Sequence, residues 1–360
     1  MKILILAVPI GAGHFKAASA VKQAFESLTD RAMVRLEDAF KWCWPVYGKG
    51  YKIIYEFGQK YSNAVLLFWY KGTGIKGSDR KFYLWHKFTA YKISRLLDEF
   101  RPDYVLCVHW SPAYYAAIFK KRFGYRIGVV ITDYYIHQHW VNNEVDDFFI
   151  PHEYLADQIM GYGVRKEKLH PLGIPINLAM EGIIDKASAR KRFNISEKKI
   201  CATVMGSRVF GGEWYEIVRE IVDFDYDLLV LCGDNKEAMS KIKQLKGRSK
   251  LSVYGMVDKI QELIAVTDIL ITKAGGITTT EATRTGPALL FANSIIGLED
   301  KNEEFFIKHG AATNLTKENA RKVVSDLLVN PKKIAAMKEN LLKIGKRDSA
   351  RNIAKTILRL

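Results

Sequence analysis

Four cysteines in 360 residues, Cys43, Cys107, Cys201 and Cys232, are too few and too far apart to build a disulfide frame. No C-x-x-C joins them, so a structural zinc site is excluded and they read as the reduced thiols of a cytoplasmic protein. No apolar run approaches the length that spans a bilayer. The run Lys2–Val8 has no small-residue cleavage site after it and reads as a strand, not a signal peptide. Internal repeats and low-complexity stretches are absent. Acidic residues are in short supply: 39 Asp and Glu against 55 Lys and Arg leave a net charge of +16. That surplus implies an anionic partner, whether nucleotide, phospholipid surface or nucleic acid.

What is present is alternation. In the first half, strand-like runs at Ile3–Val8, Val34–Leu36, Tyr104–His109, Ile127–Thr132 and Phe148–Ile150 are separated by helical stretches. A second series follows at Cys201–Met205, Leu228–Cys232, Leu251–Val253, Ile269–Thr272 and Ala288–Phe291. Amphipathic segments Glu213–Phe224, Asn235–Lys246 and Ile260–Thr267 lie between them. The pattern predicts an α/β protein with two Rossmann-like, doubly wound domains, 1–172 and 178–330. The proline- and glycine-bearing segment His170–Ile176 is the expected hinge, and helices over 331–360 are expected to follow, with the option of packing back on the first domain.

Glycine loops fall where those strands end. Lys273-Ala-Gly-Gly-Ile-Thr-Thr-Thr-Glu281 follows a buried strand, turns at Gly275–Gly276 and opens a helix rich in hydroxyls. Backbone N–H groups there suit a diphosphate, and Glu281 suits the vicinal hydroxyls of a ribose. Met205–Gly212 is a second such loop, with Ser207 and Arg208 in reach of a diphosphate. Asn293–Asn302 brings Glu299 and Asn302 toward the same edge. At the other end of the chain, Gly11-Ala-Gly-His14 lacks the third glycine of a dinucleotide fingerprint, which disfavours a Rossmann cofactor. It leaves His14 at a crevice edge, the best candidate general base. Thr132-Asp-Tyr-Tyr-Ile-His-Gln-His-Trp140 also follows a strand. Asp133 is placed to orient a donor or the base, while His137, His139 and Trp140 shape a sugar or acceptor pocket. The H-x-H pair has no third ligand by spacing, so no metal is expected.

Residues 41–95 hold fifteen of the 43 aromatics, eleven Lys or Arg and only two acidic residues. Rings with lysines at their margins, among them Trp42, Trp44, Tyr47, Tyr51, Trp69 and Trp85, suit the headgroup level of an anionic phospholipid membrane surface. Folding these rings into the domain core is the alternative. No RNA-binding signature accompanies them, so no nucleic acid partner is expected.

Together these motifs resemble the lipid glycosyltransferases of family 28, the monogalactosyldiacylglycerol synthases and bacterial diacylglycerol glucosyltransferases. Gly11–His14 with Ala17-Ala18 is similar to the family's G-G-G-H…A-A opening, and Tyr47-Gly-Lys-Gly-Tyr51 to its lipid-facing segment. Thr132-Asp133…His137…Trp140, Gly173–Ile176, Tyr254-Gly-Met-Val-Asp258 and Thr272–Glu281 follow in family order. Ala274 stands where the family usually has Pro, and Ile296-Gly-Leu-Glu299 where it has P-G-Q-E, so Leu298 removes a hydrogen-bonding side chain. The resemblance implies the GT-B architecture, two domains facing a central cleft. It also implies inverting, metal-independent hexose transfer without a cofactor, from UDP-glucose or UDP-galactose to diacylglycerol, at the cytoplasmic face of the membrane. His14 would be the base. Gly13, Val257, Gly275, Gly276, Thr278, Glu281, Glu299 and Asn302, with Ser207 and Arg208, would serve the donor. A polyprenol-linked acceptor, a UDP-sugar epimerase and a non-catalytic UDP-sugar sensor that binds a protein partner are the rival expectations.

Overall fold

The computed structural model describes residues 1–10, 13–43, 50, 53, 92–182, 184–206, 212–294 and 299–360. The chain divides into two compact units. One comprises Met1–Glu181 with Lys346–Leu360, the other Gly182–Gly345.

The first unit is built on six strands: β1 (Lys2–Ala7), β2 (Met33–Asp38), β3 (Tyr104–Cys107), β4 (Arg126–Val130), β5 (Asp147–Phe149) and β6 (Leu169–His170). They form one sheet in the order β2-β1-β3-β4-β5-β6, every pairing parallel. Ile3 to Ala7 are fully buried, as expected of a parallel strand covered on both faces. The strand order reverses between β1 and β3, and such a reversal opens a crevice beyond the carboxyl ends of the strands. The opposite edge is closed by side chains. Asp147 accepts from Tyr104 Oη (2.8 Å) and Arg126 (2.9 Å) and meets His170 Nε2 at 3.0 Å, stitching β3, β4, β5 and β6 together.

The second unit holds β7 (Cys201–Met205), β8 (Asp227–Leu231), β9 (Lys250–Tyr254), β10 (Ile269–Thr272), β11 (Ala288–Phe291) and β12 (Ala312–Asn314). Its order is β12-β11-β10-β7-β8-β9, again all parallel, with the reversal between β7 and β10. Each unit is therefore a doubly wound α/β body of the expected class. Strands β6 and β12 were not foreseen: two and three residues are too short to show a period.

Two boundaries differ from the sequence expectation. The chain passes between units at Glu181–Gly182, while the segment read as a hinge lies inside the first unit. There Gly173 takes φ +89°, and a side chain on it would collide with Ser349 and stand 2.6 Å from Lys346 Cβ. Glycine serves close packing at that point. The helix Pro331–Ile344 stays with the second unit, its Met337 in that core, and only Ser349–Leu358 returns. That last helix packs on the helix Gly13–Leu28 and buries Ile353, Ala354 and Ile357. The return is fastened by the Lys346–Glu153 ion pair and by Glu181, whose carboxylate accepts from the Asp348 amide at 3.1 Å.

Candidate active site

Candidate residues lie at the carboxyl ends of each sheet. In the first unit, β1 leads to the helix Gly13–Leu28, which starts earlier than its apolar period suggests and carries His14 in its first turn. Strand β3 leads to His109, the N-cap of the helix Trp110–Phe123, whose Nδ1 accepts from the Ser111 amide at 3.2 Å. Because β1 and β3 are neighbours at the reversal, the two imidazoles meet, ring centroids 4.9 Å apart. Strand β4 contributes Thr132, whose Oγ1 is 3.2 Å from His14 Nδ1.

The surroundings set the charge of these rings. His14 is only half-exposed by surface area, yet protein encloses it. Burial lowers its pKa to about 4, against a hydrogen bond to the Val108 backbone that favours the charged form. His109 is pushed well below the usual range by burial, then by His14 and His137. His137 falls to about 3 through burial and the neighbouring His139, and His139 is lowered by burial alone. At neutral pH the cluster is uncharged, so His14 presents a lone pair, as a general base must.

Trp140 and Trp110 complete the cluster. Trp140 lies 5.8 Å from His137 and 6.0 Å from His109 between ring centroids, and Trp110 stacks on His139 at 5.2 Å. The indole N–H of Trp140 is buried and meets no acceptor among the described residues, so it is a donor available to a hydroxyl. Asp133 is half-buried beside Thr132. His137 and Trp140 join this cluster through His109, and His139 through His137 and Trp110; His109 and Trp110 were missed in the sequence, and their position just past β3 was the available signal. Among the described residues, no three His, Cys, Asp or Glu side chains are grouped to hold a metal ion.

In the second unit, β10 runs into Lys273 and the turn before the short helix Gly276–Ala282. The Gly275 amide donates to the Lys273 carbonyl at 2.8 Å, and neither Gly275 nor Gly276 has positive φ. These glycines bare the backbone; they do not relieve strain. Thr279 and Thr280 turn their hydroxyls back to the carbonyls of Gly275 and Gly276, leaving Thr278 half-exposed. Glu281 is buried. Asn302 is buried too, its Nδ2 donating to the Ala274 carbonyl at 2.9 Å, so it braces the turn. Glu299 pairs with Lys273 at 3.2 Å. Val257 is half-buried beyond β9, and Gly13 opens the His14 helix.

Trp42 is half-buried against the first core, donating to Glu37 at 3.0 Å beneath the Arg35 guanidinium. Ser207, Arg208, Leu298, Trp44, Tyr47, Tyr51, Trp69 and Trp85 lie outside the described residues. No helix among the described residues is long and apolar enough to cross a membrane.

Comparison with known proteins gives the family and the fold. Residues 14–176 match the family model of monogalactosyldiacylglycerol (MGDG) synthase, and residues 211–357 match the glycosyltransferase family 28 C-terminal domain. The processive diacylglycerol beta-glucosyltransferase of Bacillus subtilis is 27% identical, over 99% of this chain and 95% of its own. Among solved structures, Acinetobacter baumannii MurG superposes with a TM-score of 0.66 at 11% identity, covering 100% of both chains. S. aureus MnaA, solved with UDP, gives 0.67 at 15% identity, over 100% of this chain and 97% of that one. At such identities these likenesses speak to the fold, the GT-B architecture.

Proposed function

We propose, from the premise that this chain belongs to the family 28 lipid glycosyltransferases, that it moves a hexose from a UDP-sugar to diacylglycerol with inversion at the anomeric carbon. His14 carries the reading: an uncharged imidazole at the strand-order reversal of the first sheet, held by Thr132 at 3.2 Å. In the reaction His14 takes the proton of the lipid hydroxyl as its oxygen attacks the anomeric carbon from the face opposite UDP. The C–O bond to the diphosphate breaks, and UDP leaves with the electron pair.

Developing charge on the diphosphate is met by the backbone amides at the start of the Gly276–Ala282 helix, by Thr278 and by the Ser207–Arg208 loop, so the step is proposed to need no metal ion. Glu281 is assigned to the ribose and Val257 to the nucleoside. Asp133 is assigned to orientation of the base, and His137, His139 and Trp140 to the acceptor pocket.

The acceptor dictates location. Diacylglycerol stays in a bilayer, and the basic, aromatic segment 41–95 supplies both attractions a peripheral enzyme needs at an anionic surface. We assign the protein to the cytoplasmic face, where nucleotide sugars are made.

Vesicles containing diacylglycerol, incubated with the protein and UDP-glucose, UDP-galactose or UDP-N-acetylglucosamine, test the reading by the mass of the lipid products. A lipid heavier by one or more hexoses supports it. UDP binding without any glycolipid from any donor overturns transfer and leaves a UDP-sugar sensor. Product only with a polyprenyl phosphate acceptor corrects the acceptor.

A further inference from the structure

Lys273 has no part in the chemistry above, yet it stands at the seat assigned to the diphosphate. It is the first residue after β10, and its Nζ lies 3.2 Å from Glu299 Oε2, both side chains less than one-fifth exposed (18% and 16%). The other carboxylate oxygen, Oε1, is 3.7 Å from the point where a Cβ on Gly275 would stand. A carboxylate therefore borders the very turn that should receive an anion.

Two negative groups at that range and degree of burial repel, so one must be neutralised or displaced when a diphosphate arrives. Lys273 is a cation in contact with that carboxylate. The pair is not needed to hold the backbone. The Gly275 amide already donates to the Lys273 carbonyl, Asn302 braces Ala274 from one side, and the Ala274 amide points to Ser294 Oγ at 3.4 Å on the other.

Resting on the UDP-sugar reading, we infer that Lys273 is the cation that receives the donor's diphosphate. Glu299 holds the ammonium in place until phosphate oxygens take over the carboxylate's position. Glu299 then acts on the donor through Lys273 as a positioning residue. No bond to carbon or phosphorus changes in this exchange; one charge-assisted hydrogen-bond partner replaces another.

Titration calorimetry of the full chain with UDP and with uridine separates the possibilities, because uridine has the base and ribose but no phosphate. Lys273→Met should weaken UDP by about tenfold or more and leave uridine unchanged. Glu299→Gln, which frees the ammonium, should tighten UDP severalfold, again without effect on uridine. Lys273→Arg should retain most of the UDP affinity.

Equal losses for UDP and uridine in Lys273→Met, or no loss for either, overturn the assignment, as does a Glu299→Gln variant that binds UDP as weakly as Lys273→Met. Should Lys273→Met fail to fold, Glu299→Gln decides alone, by whether UDP affinity rises. If the unaltered chain binds neither ligand at millimolar concentration, the donor reading and this inference fall together. If it binds UDP and Lys273→Met binds it equally well, only the inference falls.

Discussion

His14 and His109 meet edge to face, their ring planes 77° apart. They come from the ends of neighbouring parallel strands, so the contact follows from sheet order and not from a local motif. Two imidazoles this close cannot both carry charge without penalty, and burial already disfavours either cation. The catalytic role assigned to His14 depends on that shared neutrality.

Replacing His14 by Ala should lower turnover by roughly 10²–10⁴ while UDP affinity is retained. Steady-state rates on diacylglycerol vesicles, together with UDP titration, check both halves. Undiminished turnover would remove His14 as the base.

The pH dependence has a definite sign. With the His14 pKa near 4, kcat/KM should stay level down the acid side well past pH 6.5 and fall only as pH approaches about 4. An acid limb centred at an ordinary histidine value would contradict the burial argument. Stability moves with it. His14, at about 4, and His137, at about 3, bind protons less readily folded than unfolded, so folding free energy declines as pH drops below about 6.5 and recovers above it. Urea unfolding at pH 5 and pH 8 measures the difference.

In the proposed reaction Thr132 positions His14 through its hydroxyl, 3.2 Å from Nδ1. Thr132→Val should reduce kcat by about tenfold with little change in UDP affinity, and Thr132→Ser should restore most of it. A valine variant with normal kcat would assign the 3.2 Å contact to packing alone.

Trp140→Phe keeps a ring and deletes the buried N–H donor. A higher KM for the lipid acceptor with unchanged UDP affinity is expected, read from initial rates across vesicle compositions. Equal effects on donor and acceptor would point to disturbed packing instead.

Ile353 is fully buried in the returning helix, and Ile353→Ala should cost about 2–5 kcal/mol of stability. Denaturant unfolding checks it. A change below about 1 kcal/mol would mean that this helix does not support the first unit.

Much of the fold was legible because parallel strands are continuous apolar runs: β1, β7, β10 and β11 stand within a residue of their expected limits. Two-residue β6 carries no period to read. Glycine at 173 advertised a hinge, but the same residue also permits close approach, and only the structure reveals Ser349 and Lys346 beside it. His14, His137, His139 and Trp140 were visible because each follows a strand. His109 was hidden as the last residue of the run read as a strand, and its helix cap appears only once β3 is known to stop at Cys107. Lys273 and Glu299 could not be paired on paper, since tertiary folding alone joins the two segments. The rings of 41–95 drew attention by composition, and Trp42, the described one at its start, is half-buried against the core.

The returning helix Ser349–Leu358 also sets an order of events during synthesis. The N-terminal body is completed only after the second one has been made, because its helix Ser349–Leu358 follows Gly182–Gly345 in the chain. Gly182–Gly345 has all its own parts in one stretch and is free to fold while the N-terminal body waits with the flank of its Gly13–Leu28 helix uncovered. Chains cut short before Ser349 would keep that apolar flank bare, which makes them natural clients for chaperones and proteases.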